Sequence, residues 1–294
     1  MYFPTAGIEV RPWLPPLVAF VISLFTSMGG VSGAFLLLPF QVSVLHFDSP
    51  AVSATNHIFN IVAIPSGAYR YIREGRMVWP LTWAVVIGTL PGVVAGAFIR
   101  IKYLPDPAMF KRFAALVLLY IAVRLLRDIL KKKDKKKIAA PGDGEEVVSD
   151  ATLGLRFISY KYRGTKYSVS TASIMTLSLI VGIIGGVYGI GGGAIIAPFF
   201  VSFFGLPVYT VAGAALMGTL LTSVAGVTIF EILAPVYPDM AVAPDWKLGI
   251  LFGLGGVVGM YCGARLQKFV PARLIKTILA FCILFTSCRY LGLF

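Results

Sequence analysis

Two short strings hold the residues best placed to do chemistry. Gly30-Val31-Ser32-Gly33 and Gly191-Gly192-Gly193 each interrupt a hydrophobic stretch. Glycine lets a chain unwind and turn where other residues would keep a helix straight. The helix that restarts after each break, near Ala34 and Ala194, then aims free backbone N–H groups and a positive dipole end at the break. Two such ends meeting deep in an apolar medium hold an anion without any buried cationic side chain. The competing reading is that these glycines serve close packing alone. Matched positions in two halves of a membrane chain favour a solute site.

The segment after the first break carries Ser53, Thr55, Asn56, His57 and Asn60. Asn56 and Asn60 are four apart and share a helix face, with Ser53 three residues before Asn56. The matching stretch of the second half is milder, with Thr219, Thr222 and Ser223. These side chains can donate hydrogen bonds to oxyanion oxygens, or can tie helices together. His57 can carry a proton with a solute or be a packed, hydrogen-bonded residue. Asp48, Glu74 and Glu231 fall at or near helix ends, so a carboxylate-built sodium site has no support. Cys262, Cys282 and Cys288 match no metal spacing and behave as small hydrophobes. No metal, cofactor or catalytic residue is expected. One enzymatic alternative needs weighing: Ser32 within a G-x-S-G string, with His57 as base, resembles an intramembrane serine protease dyad. A position chosen for smallness explains Ser32 better, because Gly191 stands at the matching place of the second half.

The elements that must position these residues are transmembrane helices. Of 294 residues 57% are hydrophobic and only 13% charged, where a soluble domain carries about a quarter charged. Trp79–Ile99, Phe113–Leu126, Ser168–Tyr188, Ala212–Phe230 and Leu248–Leu266 are long apolar runs, near the roughly 20 residues that cross a bilayer. They do not alternate as barrel strands do, so they are helices. The net charge of +13 gathers between the runs, above all in Lys131–Lys137. That places a cytoplasmic loop touching anionic headgroups, and it excludes nucleic acid as a partner. Arg11 precedes the first apolar stretch, but no small-residue cleavage site closes it, so the segment is read as retained.

The chain also reads as two copies of one unit. With Pro39 placed on Pro198, Gly30 to Gly33 fall on Gly189 to Gly192, Val52 on Val211 and Gly67 on Gly226. After a small insertion Trp79 meets Trp246, and Gly88, Gly92 and Gly96 meet Gly255, Gly259 and Gly263. Residues 1–130 form the first membrane repeat, 131–167 a basic cytoplasmic linker and 168–294 the second repeat. Each repeat is a Gly-broken helical pair (14–47 and 169–205) followed by three helices (50–72, 79–101 and 108–130; 207–232, 246–267 and 271–292). If each broken pair dips in and returns, the halves are inverted. Loop charges favour that arrangement, with only Arg100, Lys102, Lys111 and Arg112 on the wrong side.

The Gly-rich breaks running to Pro39 and Pro198, Ala54-Thr55-Asn56, the Arg73-Glu74-Gly75-Arg76-Met77-Val78 hairpin and the paired Gly-x-x-x-Gly rows together resemble the TauE/SafE family of sulfite-exporter-like permeases. Ser32 and Ala34 stand where the family's first break has glycines. The resemblance implies an all-α integral membrane protein of a cell inner membrane, a transporter exporting sulfite, thiosulfate or a small organosulfonate. Its solute contacts would be Gly30, Val31, Ser32, Gly33, Thr55, Asn56, His57, Asn60, Gly191, Gly192, Gly193 and Thr219. An anion channel, or a carrier of another small solute, uses the same features.

Overall fold

A computed structural model describes residues 1–28, 32–130, 147–266 and 272–293. After a short hairpin (β1, Tyr2–Phe3; β2, Ile8–Glu9) come α1 (Leu14–Met28), α2 (Ala34–Ser43), α3 (Ala51–Arg73), α4 (Trp79–Lys102) and α5 (Pro107–Leu130). A three-stranded antiparallel sheet follows (β3, Val148–Leu153; β4, Phe157–Tyr162; β5, Thr165–Ser170). Then come α6 (Thr171–Tyr188), α7 (Gly193–Phe203), α8 (Val208–Leu233), α9 (Trp246–Leu266) and α10 (Ala272–Tyr290). Among the described residues, four helical stretches are long and apolar enough to cross a membrane: Trp79–Lys102, Thr171–Tyr188, Thr210–Val236 and Trp246–Gly263. The protein is therefore a mostly helical, multi-pass integral membrane protein.

One part of the linker differs from the sequence expectation. Residues 148–167, read as linker loop, and Ser168 to Ser170, read as the start of an apolar membrane run, carry the three strands of this sheet. Ile158, Tyr160 and Tyr162 alternate inward along β4, and the turn after it uses Arg163 and Gly164 at positive φ. The sheet is docked on the helices. Val148 N–H donates to the Gly75 carbonyl (3.0 Å), and the Tyr160 and Thr210 hydroxyls bond at 2.9 Å. The Lys131–Lys137 run lies outside the described residues.

Rows of glycine set the helix pairs. A Cβ on Gly88, Gly92 or Gly96 of α4 would overlap Met175, Leu179 and Ile183 of α6 in turn. A Cβ on Gly255, Gly259 or Gly263 of α9 would overlap Pro16, Phe20 and Leu24 of α1. Backbones this close are what small-xxx-small rows permit. Because the contacts advance in step, α4 runs parallel to α6 and α9 parallel to α1. Gly249, Gly253 and Gly256 of α9 lie on Ile58, Val62 and Phe59 of α3, so α3 shares the direction of α9. Conversely, α8 meets α3 head to tail, with Gly226 on His57 and Leu216 on Gly67.

The two ends of the bundle follow. At one end sit the β1–β2 hairpin, the starts of α3 and α9, and the end of α4. Ala51 N–H donates to the Ala241 carbonyl, and the buried Arg100 guanidinium donates to the Leu104 and Asp48 carbonyls while lying 3.8 Å from the Phe110 ring centre. At the other end sit the sheet, the start of α6 and the α3–α4 hairpin, with Gly213 near the start of α8 packed on Tyr71. The α1 helix has 15 residues, about 22 Å, short of the roughly 30 Å hydrocarbon core. Its partner α2 returns toward the α1 side: the Tyr290 hydroxyl at the end of α10 accepts from Ser43 (2.9 Å) and donates to the Pro39 carbonyl (3.2 Å).

Candidate functional site

The site is built around α3. Every residue from Ala51 to Asn60 is buried, so this stretch can carry five polar side chains without facing lipid. Each polar side chain has its own partner.

Ser53 and the two asparagines reach the breaks. Ser53 Oγ donates to the Val187 carbonyl (3.0 Å) at the end of α6. Asn56 Nδ2 donates to the Ala34 carbonyl (3.0 Å) in the first turn of α2, and its Oδ1 accepts from Gln41 Nε2 (3.4 Å). Asn60 touches both breaks at once. Its Oδ1 accepts from Ser32 Oγ (2.8 Å) and its Nδ2 donates to the Ile190 carbonyl (3.1 Å). The ends of two interrupted helical pairs, about 160 residues apart in the chain, are thus one side chain apart in space. Each asparagine NH2 has two hydrogens and uses one in these bonds.

The second break turns sharply. Gly189 and Gly191 have φ of +76° and +71°, the left-handed region that favours glycine. A Cβ on Gly189 would also strike the Ser53 carbonyl of α3, and one on Gly193 the Ala215 carbonyl of α8. Gly192 N–H donates to Thr222 Oγ1 (3.3 Å). Thr219 returns its own hydroxyl to the Ala215 carbonyl (2.8 Å), and its methyl would lie 2.9 Å from a Cβ on Gly191. Ser223 Oγ borders the same glycine and lies 3.2 Å from His57 Nδ1. The imidazole packs flat enough on α8 that a Cβ on Gly226 would sit 2.6 Å from Nε2. His57 Nε2 is buried without a hydrogen-bond partner.

At the first break, Ser32 and Gly33 are buried, and Ala34 N–H donates to Ser32 Oγ (3.3 Å). A Cβ on Gly33 would press on Ser23 Oγ (3.1 Å) and Thr26 Oγ1 (3.3 Å) of α1. Gly30 and Val31 lie outside the described residues. The starts of α2 and α7 set their positive dipole ends at the break region, with Ala34 N–H taken by Ser32 Oγ and Gly192 N–H by Thr222 Oγ1.

Thus Ser32, Gly33, Asn56, Asn60, Gly191, Gly192, Gly193 and Thr219 come together around the breaks, with His57 joined to them through Ser223. Thr55 does not. Its Oγ1 accepts from Asp245 N–H (2.9 Å), and Asp245 in turn caps α9 by accepting from Leu248 N–H (3.0 Å). The Ser32–His57 dyad is not formed, because Ser32 bonds Asn60 and His57 bonds Ser223. Two contributors escaped the sequence reading. Gln41 lies buried in an otherwise apolar helix and keeps Oε1 unpartnered. Tyr188 donates its hydroxyl to the Phe35 carbonyl (3.0 Å), tying the end of α6 to α2. A lone glutamine in an apolar run was the available signal; for the tyrosine there was none. Among the described residues no group of three or more His, Cys, Asp or Glu could hold a metal ion.

Residues 16–290 match the family described as Sulfite exporter TauE/SafE. A curated relative, "Probable membrane transporter protein YdhB" of Bacillus subtilis, is 29% identical over 107 residues. That match takes in 36% of this chain and 40% of the relative's length. No solved structure matches.

Proposed function

The chain belongs to the sulfite exporter TauE/SafE family, and from that premise we propose that it moves a small sulfur-containing oxyanion, such as sulfite, thiosulfate or an organosulfonate, outward across the cell inner membrane. The anion binds where α2 and α7 begin. Two helix N-termini supply roughly half an elementary charge each, and their amides, with the spare asparagine hydrogens, supply donors. The observation that carries this reading is the Asn60 bridge from Ser32 to Ile190 (2.8 and 3.1 Å), which holds the two breaks together. Asn56 and Asn60 act first as braces that fix the breaks, while Gly193 keeps α7 close to α8 and Gly192 keeps the break close to Thr89 of α4.

We further propose that the chain is a duplicated, inverted unit. The glycine rows support it, since α4 meets α6 as α9 meets α1, at repeat-matched residues throughout. The breaks support it too. Asn60 stands beside Ser32 where Thr219 stands beside Gly191, and Asn56 reaches Ala34 where Ala215 presses on Gly193. Two of the four charges on the wrong side are engaged: Arg100 is buried against carbonyls, and Lys111 lies 3.9 Å from Asp48. The basic linker and its sheet then face the cytoplasm, with Lys131–Lys137 near anionic headgroups.

The test is sulfite flux into proteoliposomes containing the purified protein. Saturation with sulfite and counterflow by preloaded sulfite are expected; linear, non-saturating flux would indicate a channel instead. Loss of flux with sulfite, thiosulfate and small sulfonates alike would indicate a carrier of another solute.

A further inference from the structure

The β3–β4 turn has an unusual surface. Leu153, Leu155 and Phe157 are exposed at 53%, 99% and 58%, with exposed Arg156 among them. The outward face of the sheet is otherwise polar, carrying Thr152, Ser159, Lys161 and Lys166. The turn at the far end of β4 is Arg163-Gly164, flanked by Thr165 and Lys166. The sheet is thus apolar at one tip and basic at the other.

The apolar tip is fastened to the first residue of a membrane-crossing helix. Thr171 N–H donates to the Arg156 carbonyl (3.0 Å), and Thr171 Oγ1 donates to the Gly154 carbonyl (2.7 Å). The depth of that residue can be read from its neighbour. Gly88 of α4 packs on Met175 and Ser178 of α6, and the two helices run parallel, so Thr171 lies level with Ala84. The adjoining Trp79 and Trp83 are 45% and 48% exposed, and exposed tryptophans at a helix end mark the headgroup level. Beyond Thr171, Leu179 and Ile180 of α6 face outward to lipid. The tip therefore continues a lipid-facing surface at interfacial depth.

We propose that the Leu153–Phe157 turn inserts into the bilayer interface, with Leu153, Leu155 and Phe157 at the acyl boundary and Arg156 at the phosphates. Apolar side chains beside a cationic one suit that layer and no purely aqueous one. The sheet is then a membrane-seated collar over the ends of α3, α6 and α8. This does not depend on which solute is carried.

The experiment places a nitroxide on Leu155→Cys in the full chain, with Cys262, Cys282 and Cys288 replaced by alanine, in phosphatidylethanolamine–phosphatidylglycerol vesicles. Thr165→Cys at the basic tip and Leu179→Cys on α6 serve as water and lipid references. Collision with oxygen at position 155 should match the lipid reference, and collision with a water-soluble nickel chelate should be several-fold lower than at position 165. Chelate access equal to position 165 would overturn the proposal. So would low access to both relaxers, which would mean that another part of the protein covers the tip. Leu155 is almost fully exposed, so its substitution spares the packing. A second measurement needs no substitution: a phospholipid with a diazirine in its acyl chain should crosslink to residues 153–157 of the unaltered protein. Labelling of Leu179 and Ile180 without the turn would also overturn it.

Discussion

Asn60→Ala perturbs the arrangement at its centre. The substitution removes two buried hydrogen bonds, from Ser32 Oγ and to the Ile190 carbonyl. Polar contacts between membrane helices are worth on average about 0.6 and at most about 2 kcal/mol each, and a buried group left without its partner costs about 1–3 kcal/mol. Two orphaned groups therefore weaken the braced geometry by about 2–4 kcal/mol, a factor of roughly 30 to 700 in its population. If that geometry is what binds the anion, the KM for sulfite in proteoliposomes rises by at least tenfold, on the order expected from the lower end of that range. Helix content by circular dichroism should stay unchanged. Asn60→Asp separates bracing from charge. It keeps the acceptor for Ser32 but sets a carboxylate between two positive helix ends, so flux should vanish while thermal stability exceeds that of Asn60→Ala. A destabilised Asn60→Ala protein with wild-type KM and maximal rate would refute the reasoning and leave Asn60 a packing residue only.

Other perturbations test separate parts. Asn56→Ala frees the Ala34 carbonyl and Gln41 amide, and should lower sulfite flux while the protein still elutes as a single folded species. Gly193→Ala drives a methyl into the Ala215 carbonyl, and should lower the melting temperature in detergent by several degrees or prevent purification; a wild-type melting curve would contradict the close α7–α8 packing. His57→Gln should abolish the pH dependence of flux if His57 carries a proton, and persistence of that dependence excludes the carrier role. Ser32→Ala loses two hydrogen bonds, to Asn60 Oδ1 and from Ala34 N–H, about 1 kcal/mol each, and should retain partial flux, whereas complete loss together with loss of a peptide-cleaving activity would revive the protease alternative.

Much of the helical scaffold was legible because lipid imposes it. Apolar runs located the helices, and expected bounds such as 50–72 and 79–101 fall within a residue of α3 (Ala51–Arg73) and α4 (Trp79–Lys102). The glycine rows were legible as faces of close approach, since nothing larger fits at Gly92 or Gly259. Their partners were not, because periodicity identifies a small face without saying what packs on it; here α4 takes α6, and α9 takes α1. The sheet was hidden behind the neighbouring lysine run, although Phe157–Tyr162 and Thr165–Ser170 alternate with period two around Gly164. Around the breaks, the four-residue spacing of Asn56 and Asn60 correctly placed them on one face. Thr55 shows the limit of such reasoning: one residue earlier on α3 it faces α9, because Asp245 leaves its N–H for that hydroxyl.

The most direct measurement is an experimental map of the protein soaked with selenite, an oxyanion shaped like sulfite whose heavier atom scatters anomalously. Selenite should first be shown to compete with sulfite flux. A single anomalous peak between the first turns of α2 and α7, within hydrogen-bond reach of the amides near Ser32–Ala34 and Gly191–Gly193, is the expected result. Competition without such a peak, or with the anion bound elsewhere in the bundle, would contradict anion capture by the two helix ends.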